Sequence, residues 1–248
     1  MKLWFSLYDR KDYTGGEVPF FDTSAISFAK LFESNYAIIK EELEHYLESH
    51  NLQSYFNTSM VATKNSWKTI SLRSWDIHLY ENYKYFPKTL ELINRVDGLV
   101  SASFNLLEPK ASIKPHCGDT NGIYRCHLGL QIPGTIPDCG FRVKDEWRSW
   151  EEGKLLVFVD ANNHEAINLT NENRFIFLFD VVRPEVIGKK NYICSTVLTS
   201  LFMQKRAEGL AVLYKAPMWS QKMAAVCLVP FAFIASRLRN FLYYYVKK

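Results

Sequence analysis

Three histidines lie in segments whose residue types could bind a metal ion. His116 and His127 belong to the run 111–130, in which apolar and polar residues alternate, and His164 lies further along the chain. His116 precedes a Cys-Gly-Asp turn signal and His164 follows two asparagines, so each stands where a strand gives way to a turn. Two imidazoles on rigid strand ends leave several metal positions open, as in non-haem ferrous oxygenases. The other histidines are expected to be ordinary core or surface residues: His45, His50 and His78.

An arginine and a second strand supply candidates for binding an anion. An oxygenase of this kind needs a reductant that chelates iron, and a dicarboxylate keto acid requires a cation deep in the barrel. Arg174 opens the apolar run 175–179, and a buried arginine needs an anionic partner. Arg125 and His127 alternate on one strand, so their side chains face the same side and can complete the pocket.

The elements that must position these residues are mainly strands. Short alternating or β-branched runs, separated by turn signals, predict seven strands at 99–107, 112–116, 124–132, 140–143, 155–159, 166–169 and 174–182. Their near-regular spacing favours an antiparallel sandwich or jelly roll. A strand at 66–75 precedes this region. Helical spacing predicts an N-terminal helix over 27–49, a shorter helix from Pro87, and a third over 190–208.

Composition indicates a globular protein rather than a disordered chain. The chain has 248 residues, of which 48% are hydrophobic and 15% aromatic, which is ample for a sizeable core. Five cysteines are an odd count without paired spacing, so reduced thiols in a cytosolic compartment are expected. The first ten residues have too short an apolar run for a signal peptide. We expect no nucleic-acid partner, and the oligomeric state stays open.

The last forty residues differ from the rest of the chain. Residues 209–248 carry six basic and no acidic side chains, and 223–236 contain no charge. This uncharged run is shorter than the roughly 20 residues of a membrane-spanning helix. With a tryptophan before it and a basic, tyrosine-rich cluster after it, the segment suits an interfacial helix on anionic lipid. A helix docked on the barrel or on a second subunit is the alternative. We therefore divide the chain into a domain over 1–208, with its barrel core at about 66–184, and a tail over 209–248.

The chain from about residue 86 to 184 closely resembles the aspartyl/asparaginyl β-hydroxylase family of iron- and 2-oxoglutarate-dependent dioxygenases, which includes peptidyl hydroxylases and bacterial lipid A hydroxylases. The matching segments are Phe86-Pro87-Lys88-Thr89, Ile113-Lys114-Pro115-His116, Thr120-Asn121, Arg125-Cys126-His127-Leu128-Gly129-Leu130, Trp150-Glu151-Glu152-Gly153-Lys154, His164-Glu165 and Arg174. The resemblance implies a mainly β fold with a double-stranded β-helix (jelly roll). The residue patterns add flanking helices to it, with an N-terminal helix and a helical, partly hydrophobic C-terminal tail.

The resemblance also assigns roles to the site residues. His116 and His164 become the ligands of Fe(II), and O2 is the second substrate. The residues that hold 2-oxoglutarate become Arg125, His127, Arg174 and Asn105, the last standing where family members often place a serine. The implied activity is hydroxylation of an unactivated C–H bond by a 2-oxoglutarate-dependent dioxygenase.

Three residues near the iron ligands depart from the common oxygenase triad or extend it. Many oxygenases carry an acidic residue two places after the first histidine, where this chain has Gly118, as is usual for the family. A direct or water-bridged role for the adjacent Asp119 stays open. Asp160 is expected to orient His164 or an iron-bound water, with turn capping as its alternative role.

One departure bears on the substrate. Family members that act on aspartyl side chains carry an arginine two places before the one that matches Arg125, and this chain has Ile123 there. The favoured substrate is therefore a membrane lipid acyl chain or a membrane-bound metabolite, with the protein cytoplasmic and peripheral at the inner face of the membrane. The alternatives are a peptidyl aspartyl/asparaginyl hydroxylase and, more remotely, a non-catalytic metal- or ligand-binding jelly roll.

Overall fold

The computed structural model describes residues 1–9, 12–205 and 217–246. The strands are β1 (Gln53–Ser54), β2 (Trp67–Ser74), β3 (Ile77–His78), β4 (Leu99–Leu107), β5 (Ala111–His116), β6 (Ile123–Gln131), β7 (Cys139–Val143), β8 (Glu146–Arg148), β9 (Leu155–Val159), β10 (His164–Asn168) and β11 (Arg174–Val182). The helices are α1 (Ala29–Glu33), α2 (Tyr36–Leu47), α3 (Tyr80–Tyr83), α4 (Pro87–Asn94), α5 (Lys190–Lys205) and α6 (Met218–Val246).

The strands form two antiparallel sheets. The larger sheet has the order β1-β2-β4-β11-β6-β9, with β3 paired to β2, and the smaller has the order β5-β10-β7-β8. A buried apolar cluster with members from both sheets, among them Ile176 of β11 and Phe141 of β7, lies between them. The predicted jelly roll with flanking helices is confirmed by this order, in which strands distant in sequence become neighbours.

Most of the predicted elements are present. The strands predicted at 99–107, 155–159 and 174–182 coincide with β4, β9 and β11. Each of the other predicted strands begins and ends within two residues of an observed strand. The very short strands β1, β3 and β8 were not predicted, because two or three residues are too few to show alternation. The helix predicted over 27–49 is two helices, since Asn35 leaves the helical conformation and its Nδ2 donates to Leu31 O at 2.8 Å.

Strand β11 is buried on both faces, and its two faces have different roles. Phe177 and Phe179 point to the helices, where Phe32 of α1 stacks on Phe179 with ring centroids 4.1 Å apart. The alternate residues Arg174 and Ile176 point into the barrel. Removing a fully buried phenylalanine costs about 3–5 kcal/mol, so the helix layer is a major support of the strand that carries Arg174.

The C-terminal helix α6 packs against α5 and against the turn between β2 and β3. Asn240 holds this turn with two hydrogen bonds, from its Nδ2 to Asp76 O at 2.8 Å and from the backbone N–H of His78 to its Oδ1 at 3.0 Å. Arg237 forms an ion pair with Asp76 at 3.2 Å. One face of the tail helix is thus docked on the barrel. The domain boundary predicted at 208/209 lies outside the described residues.

Candidate active site

His116 and His164 come together at one end of the smaller sheet. They are directly paired residues of β5 and β10, and their ring centroids are 4.2 Å apart. His116 Nδ1 lies 2.8 Å from Lys114 O, and His164 Nδ1 lies 2.7 Å from Asn162 O. Because a carbonyl only accepts, each Nδ1 carries the proton and each Nε2 keeps a free lone pair.

The electrostatic setting keeps both imidazoles neutral. Burial, opposed by the hydrogen bond to Lys114 O, lowers the pKa of His116 to about 4. Burial and the neighbouring His116 hold the pKa of His164 well below its ordinary value. A neutral imidazole is the form that binds a metal, so the pair fits a divalent cation held through two Nε2 atoms.

No third protein ligand is evident: in the described ranges, no group of three or more His, Cys, Asp or Glu residues could hold a metal ion. At Gly118 a Cβ would overlap the carboxylate of Asp160. The backbone N–H of Gly118 donates to Asp160 O at 2.9 Å, and that of Asp119 donates to Asp160 Oδ2 at 3.0 Å. Glycine is therefore required here by the close approach of Asp160, which fastens the turn after His116.

Asp160 does not contact the imidazole of His164 by a hydrogen bond, since the Nδ1 of that ring faces Asn162 O. Its carboxylate is fully buried and lies against Arg125. Burial raises the pKa of Asp160 to about 7, although the charge of Arg125 opposes the shift. Asp119 accepts a hydrogen bond from Ser6 Oγ at 3.2 Å, and burial raises its pKa too. The prediction that either carboxylate acts on a metal-bound water stays a prediction.

Arg174 is a buried cation with open hydrogen-bond donors. The side chain is 1% exposed, and its guanidinium carbon lies 4.5 Å from the centre of the Trp150 ring. Among the described residues, Nε and Nη1 have no hydrogen-bond partner. Burial lowers the pKa of Arg174 to about 10, so it stays charged at neutral pH. A buried cation with unpartnered donors indicates an absent anion.

His127 and Asn105 line the same cavity as Arg174 and the two candidate metal ligands. Trp150 Nε1 approaches His127 Nδ1 at 3.4 Å, and His127 Nε2 is buried without a partner among the described residues. Asn105 Oδ1 accepts from Trp67 Nε1 at 3.1 Å. The structure thus brings together the predicted residues in one cavity, with two of them offering unsatisfied nitrogen atoms.

Arg125 also lines this cavity, but carboxylates occupy its donors. Its Nε and Nη2 donate to Asp180 Oδ1 and Oδ2 at 2.8 and 3.0 Å, and its Nη1 pairs with Asp160. The role predicted for Arg125 in binding 2-oxoglutarate stays a prediction. Sequence reasoning missed Asp180, although an aspartate inside the apolar strand β11 was a usable signal.

A larger cavity of about 580 Å³ continues from His116 and Arg125 over the inner faces of β2 and β4. Aromatic rings and hydroxyl groups share its wall, and Leu201 and Gln204 of α5 close its far side. Ile123 does not line either cavity: it is fully buried in a cluster with Val182 and Ile193. Ile123 is therefore sealed from both cavities by packing against α5.

Comparisons with known proteins find a family model and several relatives that this chain resembles. The family model described as Aspartyl/Asparaginyl beta-hydroxylase matches residues 33–184. An ornithine lipid ester-linked acyl 2-hydroxylase of Rhizobium tropici is 33% identical over 174 residues, which are 68% of this chain and 62% of that protein. The aspartyl/asparaginyl beta-hydroxylase of Mus musculus is 28% identical over 170 residues, 66% of this chain and 23% of the relative.

The aligned part thus spans less than two thirds of either relative. Among solved structures, a Pseudomonas putida prolyl-4-hydroxylase superposes with a TM-score of 0.44 and 14% identity, over 62% of this chain and 90% of that chain. The jelly-roll assignment rests on the strand order described above.

Proposed function

The chain belongs to the aspartyl/asparaginyl beta-hydroxylase family, and on that premise we propose that it is an Fe(II)- and 2-oxoglutarate-dependent dioxygenase that hydroxylates an unactivated C–H bond. One observation carries this proposal: two neutral imidazoles with free Nε2 atoms share a cavity with a buried arginine that has unpartnered donors. A jelly roll that only bound a metal would not need the arginine beside the two histidines.

Different residues of the cavity bind the metal and 2-oxoglutarate. His116 and His164 hold the metal through Nε2, and the backbone carbonyls behind them fix the orientation of both rings. Arg174 binds a carboxylate of 2-oxoglutarate as a two-pronged donor, while His127 and Asn105 supply hydrogen bonds beside it. The bound iron, with 2-oxoglutarate and O2, supplies the oxidation itself. The aromatic walls exclude water from this chemistry.

The favoured substrate is the acyl chain of a membrane lipid or a membrane-bound metabolite. The relative from Rhizobium tropici, by its name, hydroxylates an acyl chain of ornithine lipids. Ile123 offers no charge for a substrate carboxylate and is sealed in the core. The second candidate is an aspartyl or asparaginyl side chain of a peptide, as the name of the mouse relative states for that protein.

Helix α6 supports contact with a membrane. Its outer stripe, defined as the exposed large apolar residues on the face away from α5, consists of residues that are each more than half exposed: Trp219, Met223, Val226, Ile234, Leu238, Phe241 and Tyr245. This stripe runs for about 40 Å. Contiguous exposed apolar surface of this size marks a membrane or protein contact.

The residues Trp219–Tyr245 are long and apolar enough to cross a membrane by length and composition. Arg237 and Asn240 hold α6 on the barrel, so lipid cannot surround the helix. We therefore favour an interfacial helix that lies in the plane of the bilayer, at the cytoplasmic face, where the five free cysteines stay reduced.

The reaction is tested by anaerobic reconstitution with Fe(II) and 2-oxoglutarate, followed by exposure to O2. We expect a visible charge-transfer band and then succinate production, both lost in His164→Ala and both retained in the control His45→Ala, whose side chain is 82% exposed. A His164→Ala protein that still produced succinate at the normal rate would refute the assignment. Mass spectrometry for an added oxygen in lipid and in peptide extracts then separates the two substrates.

Membrane contact is tested by co-sedimentation of the full chain with vesicles that contain phosphatidylglycerol. The double variant Ile234→Ser/Leu238→Ser removes two large side chains from the outer stripe and should sediment far less. The control Ile136→Ser/Leu169→Ser removes two residues that are each 44% exposed on the barrel and should sediment normally. Equal sedimentation of the two variants would contradict membrane contact through α6.

A further inference from the structure

An apolar groove of about 330 Å³ lies between α5 and α6, on the other side of α5 from the candidate active site. Helix α5 contributes Leu198 and Phe202 to the groove, whereas its Leu201 and Gln204 line the large cavity beside His116. The groove is thus separate from the candidate active site, and neither the reaction nor the docking of α6 on the barrel explains it.

The groove is open and unusually apolar for a surface in water. Phe202 on one side and Phe231 on the other are 51% and 67% exposed. Ala232 forms part of the floor, and its small side chain leaves the space between the helices empty. Removing apolar surface from water is favourable, so an apolar occupant that covered both rings would be stabilised.

The charge at the edge of the groove indicates what the occupant carries. Arg239 lines the groove, and within residues 1–9, 12–205 and 217–246 it makes no hydrogen bond or ion pair. None of the described lining residues is acidic. Arg237, two residues before Arg239, by contrast forms an ion pair with Asp76 at 3.2 Å and donates a hydrogen bond to Asn191 Oδ1 at 2.6 Å. One arginine anchors the helix, and the other remains available to an anion.

The position of the groove, next to the outer stripe, indicates that the occupant comes from the membrane. Ile234 and Leu238 of the outer stripe lie within one turn of Ala235 and Arg239, which line the groove. A helix that rests in a bilayer on its outer stripe therefore brings the groove to the level of the lipid headgroups and upper acyl chains. An acyl chain can enter the groove sideways while its headgroup stays at the membrane surface.

We propose that the groove between α5 and α6 binds one acyl chain of an anionic membrane phospholipid, with the phosphate against Arg239. This site rests on the membrane contact proposed for α6 and is independent of the hydroxylation reaction. It fixes the depth and rotation of α6 in the bilayer, because a lipid held between the two helices ties both of them to the leaflet.

The test is photo-crosslinking of the metal-free full chain on vesicles. The probe is phosphatidylglycerol with a diazirine in its acyl chain, and mass spectrometry maps the adducts. We expect adducts on α5 near Phe202, which the outer stripe cannot produce because it faces away. Ala232→Trp fills the groove and should abolish these adducts. The control Val226→Trp, on the outer stripe, should keep them.

Arg239→Gln should reduce the adducts on α5 about fivefold, since a basic residue near an anionic surface is worth about 1 kcal/mol. A phosphatidylcholine probe of the same chain length should label them less than phosphatidylglycerol does. Adducts confined to the outer stripe, or equal labelling of α5 by both lipids, would overturn the proposal. Co-sedimentation, measured in the same samples, separates the two failures: absence of binding refutes membrane contact, whereas binding without adducts on α5 refutes the groove.

Discussion

Replacing Arg174 with methionine should stabilise the metal-free protein and abolish the rise in melting temperature that 2-oxoglutarate produces. Without ligand, Arg174 is 1% exposed, and two of its guanidinium nitrogen atoms have no hydrogen-bond partner among the residues that the structure describes. Each unpaired buried donor costs about 1–3 kcal/mol, so the two together cost about 4 kcal/mol. The contact with the Trp150 ring returns up to about 2 kcal/mol. Methionine keeps the apolar stem, so the net gain in unfolding free energy is about 2 kcal/mol.

The gain in unfolding free energy corresponds to a measurable rise in the melting temperature. For a chain of this size, 1 kcal/mol shifts the midpoint by about 2–4 °C, so Arg174→Met should melt about 4–8 °C above the wild type. With Mn²⁺ in place of iron to avoid oxidation, 2-oxoglutarate at about 100 times its Kd should stabilise the wild type by about 2.7 kcal/mol. Removing one partner of a buried charge pair costs about 2–5 kcal/mol, so the ligand-induced shift should vanish in the variant.

Differential scanning fluorimetry, with and without Mn²⁺ and 2-oxoglutarate, measures both effects. Arg174→Lys keeps the charge but loses the planar fork, and should retain part of the shift. The exposed Arg148 pairs with Glu146 and lies 4.6 Å from the centre of the Phe20 ring. Arg148→Met should therefore leave the ligand-induced shift unchanged and alter metal-free stability by no more than about 1 kcal/mol. A full ligand-induced shift in Arg174→Met, or a metal-free melting point below that of the wild type, would refute the reasoning.

Three further predictions test the packing around the site. Gly118→Asp, which restores the acidic residue of the common oxygenase triad, should displace the buried carboxylate of Asp160 and lower the unfolding free energy by about 2–3 kcal/mol; an unchanged urea midpoint would contradict the close approach. Phe32→Ala should cost about 3–5 kcal/mol through its contact with Phe179 yet keep the 2-oxoglutarate affinity of the Mn²⁺-loaded protein by calorimetry, and a large loss of that affinity would show that the two faces of β11 are not independent. Burial, assisted by the charge of Arg73, lowers the pKa of His78 to about 4, so the unfolded chain takes up a proton that the folded chain does not, and wild-type stability should fall as the pH drops from about 6.5 to 4. The fall should be smaller in His78→Gln, as urea unfolding at several pH values can establish.

The main strands and the candidate iron ligands follow from local sequence. Alternation predicts β4, β9 and β11 because a strand buried against a core repeats its pattern every two residues. The same period shows that Arg125 and His127 share a face, and it places Arg174 at the start of a buried strand. His116 ends β5 and His164 begins β10, so each stands out at the junction of a strand and a turn. These inferences need only the residues within one element.

The pairing of polar groups between elements was decided by tertiary structure. Arg125 meets Asp180 because β6 and β11 are neighbours in register, and no local pattern specifies which strands become neighbours. The same holds for the overlap of Gly118 with Asp160 across the end of the barrel. Arg174 keeps open donors because Glu165, the one acidic residue among the described lining of its cavity, pairs with Arg142, which is a property of the assembled cavity.

In the C-terminal tail, too, the sequence determines some properties and the tertiary structure decides others. Its sequence establishes a long apolar and basic segment and leaves its contact open between a membrane, the barrel and a second subunit. The fold assigns one face of α6 to the barrel, through Arg237 and Asn240, and leaves the outer stripe exposed. Composition records how apolar a helix is, whereas the choice of the face that it buries depends on the surfaces that the rest of the chain presents.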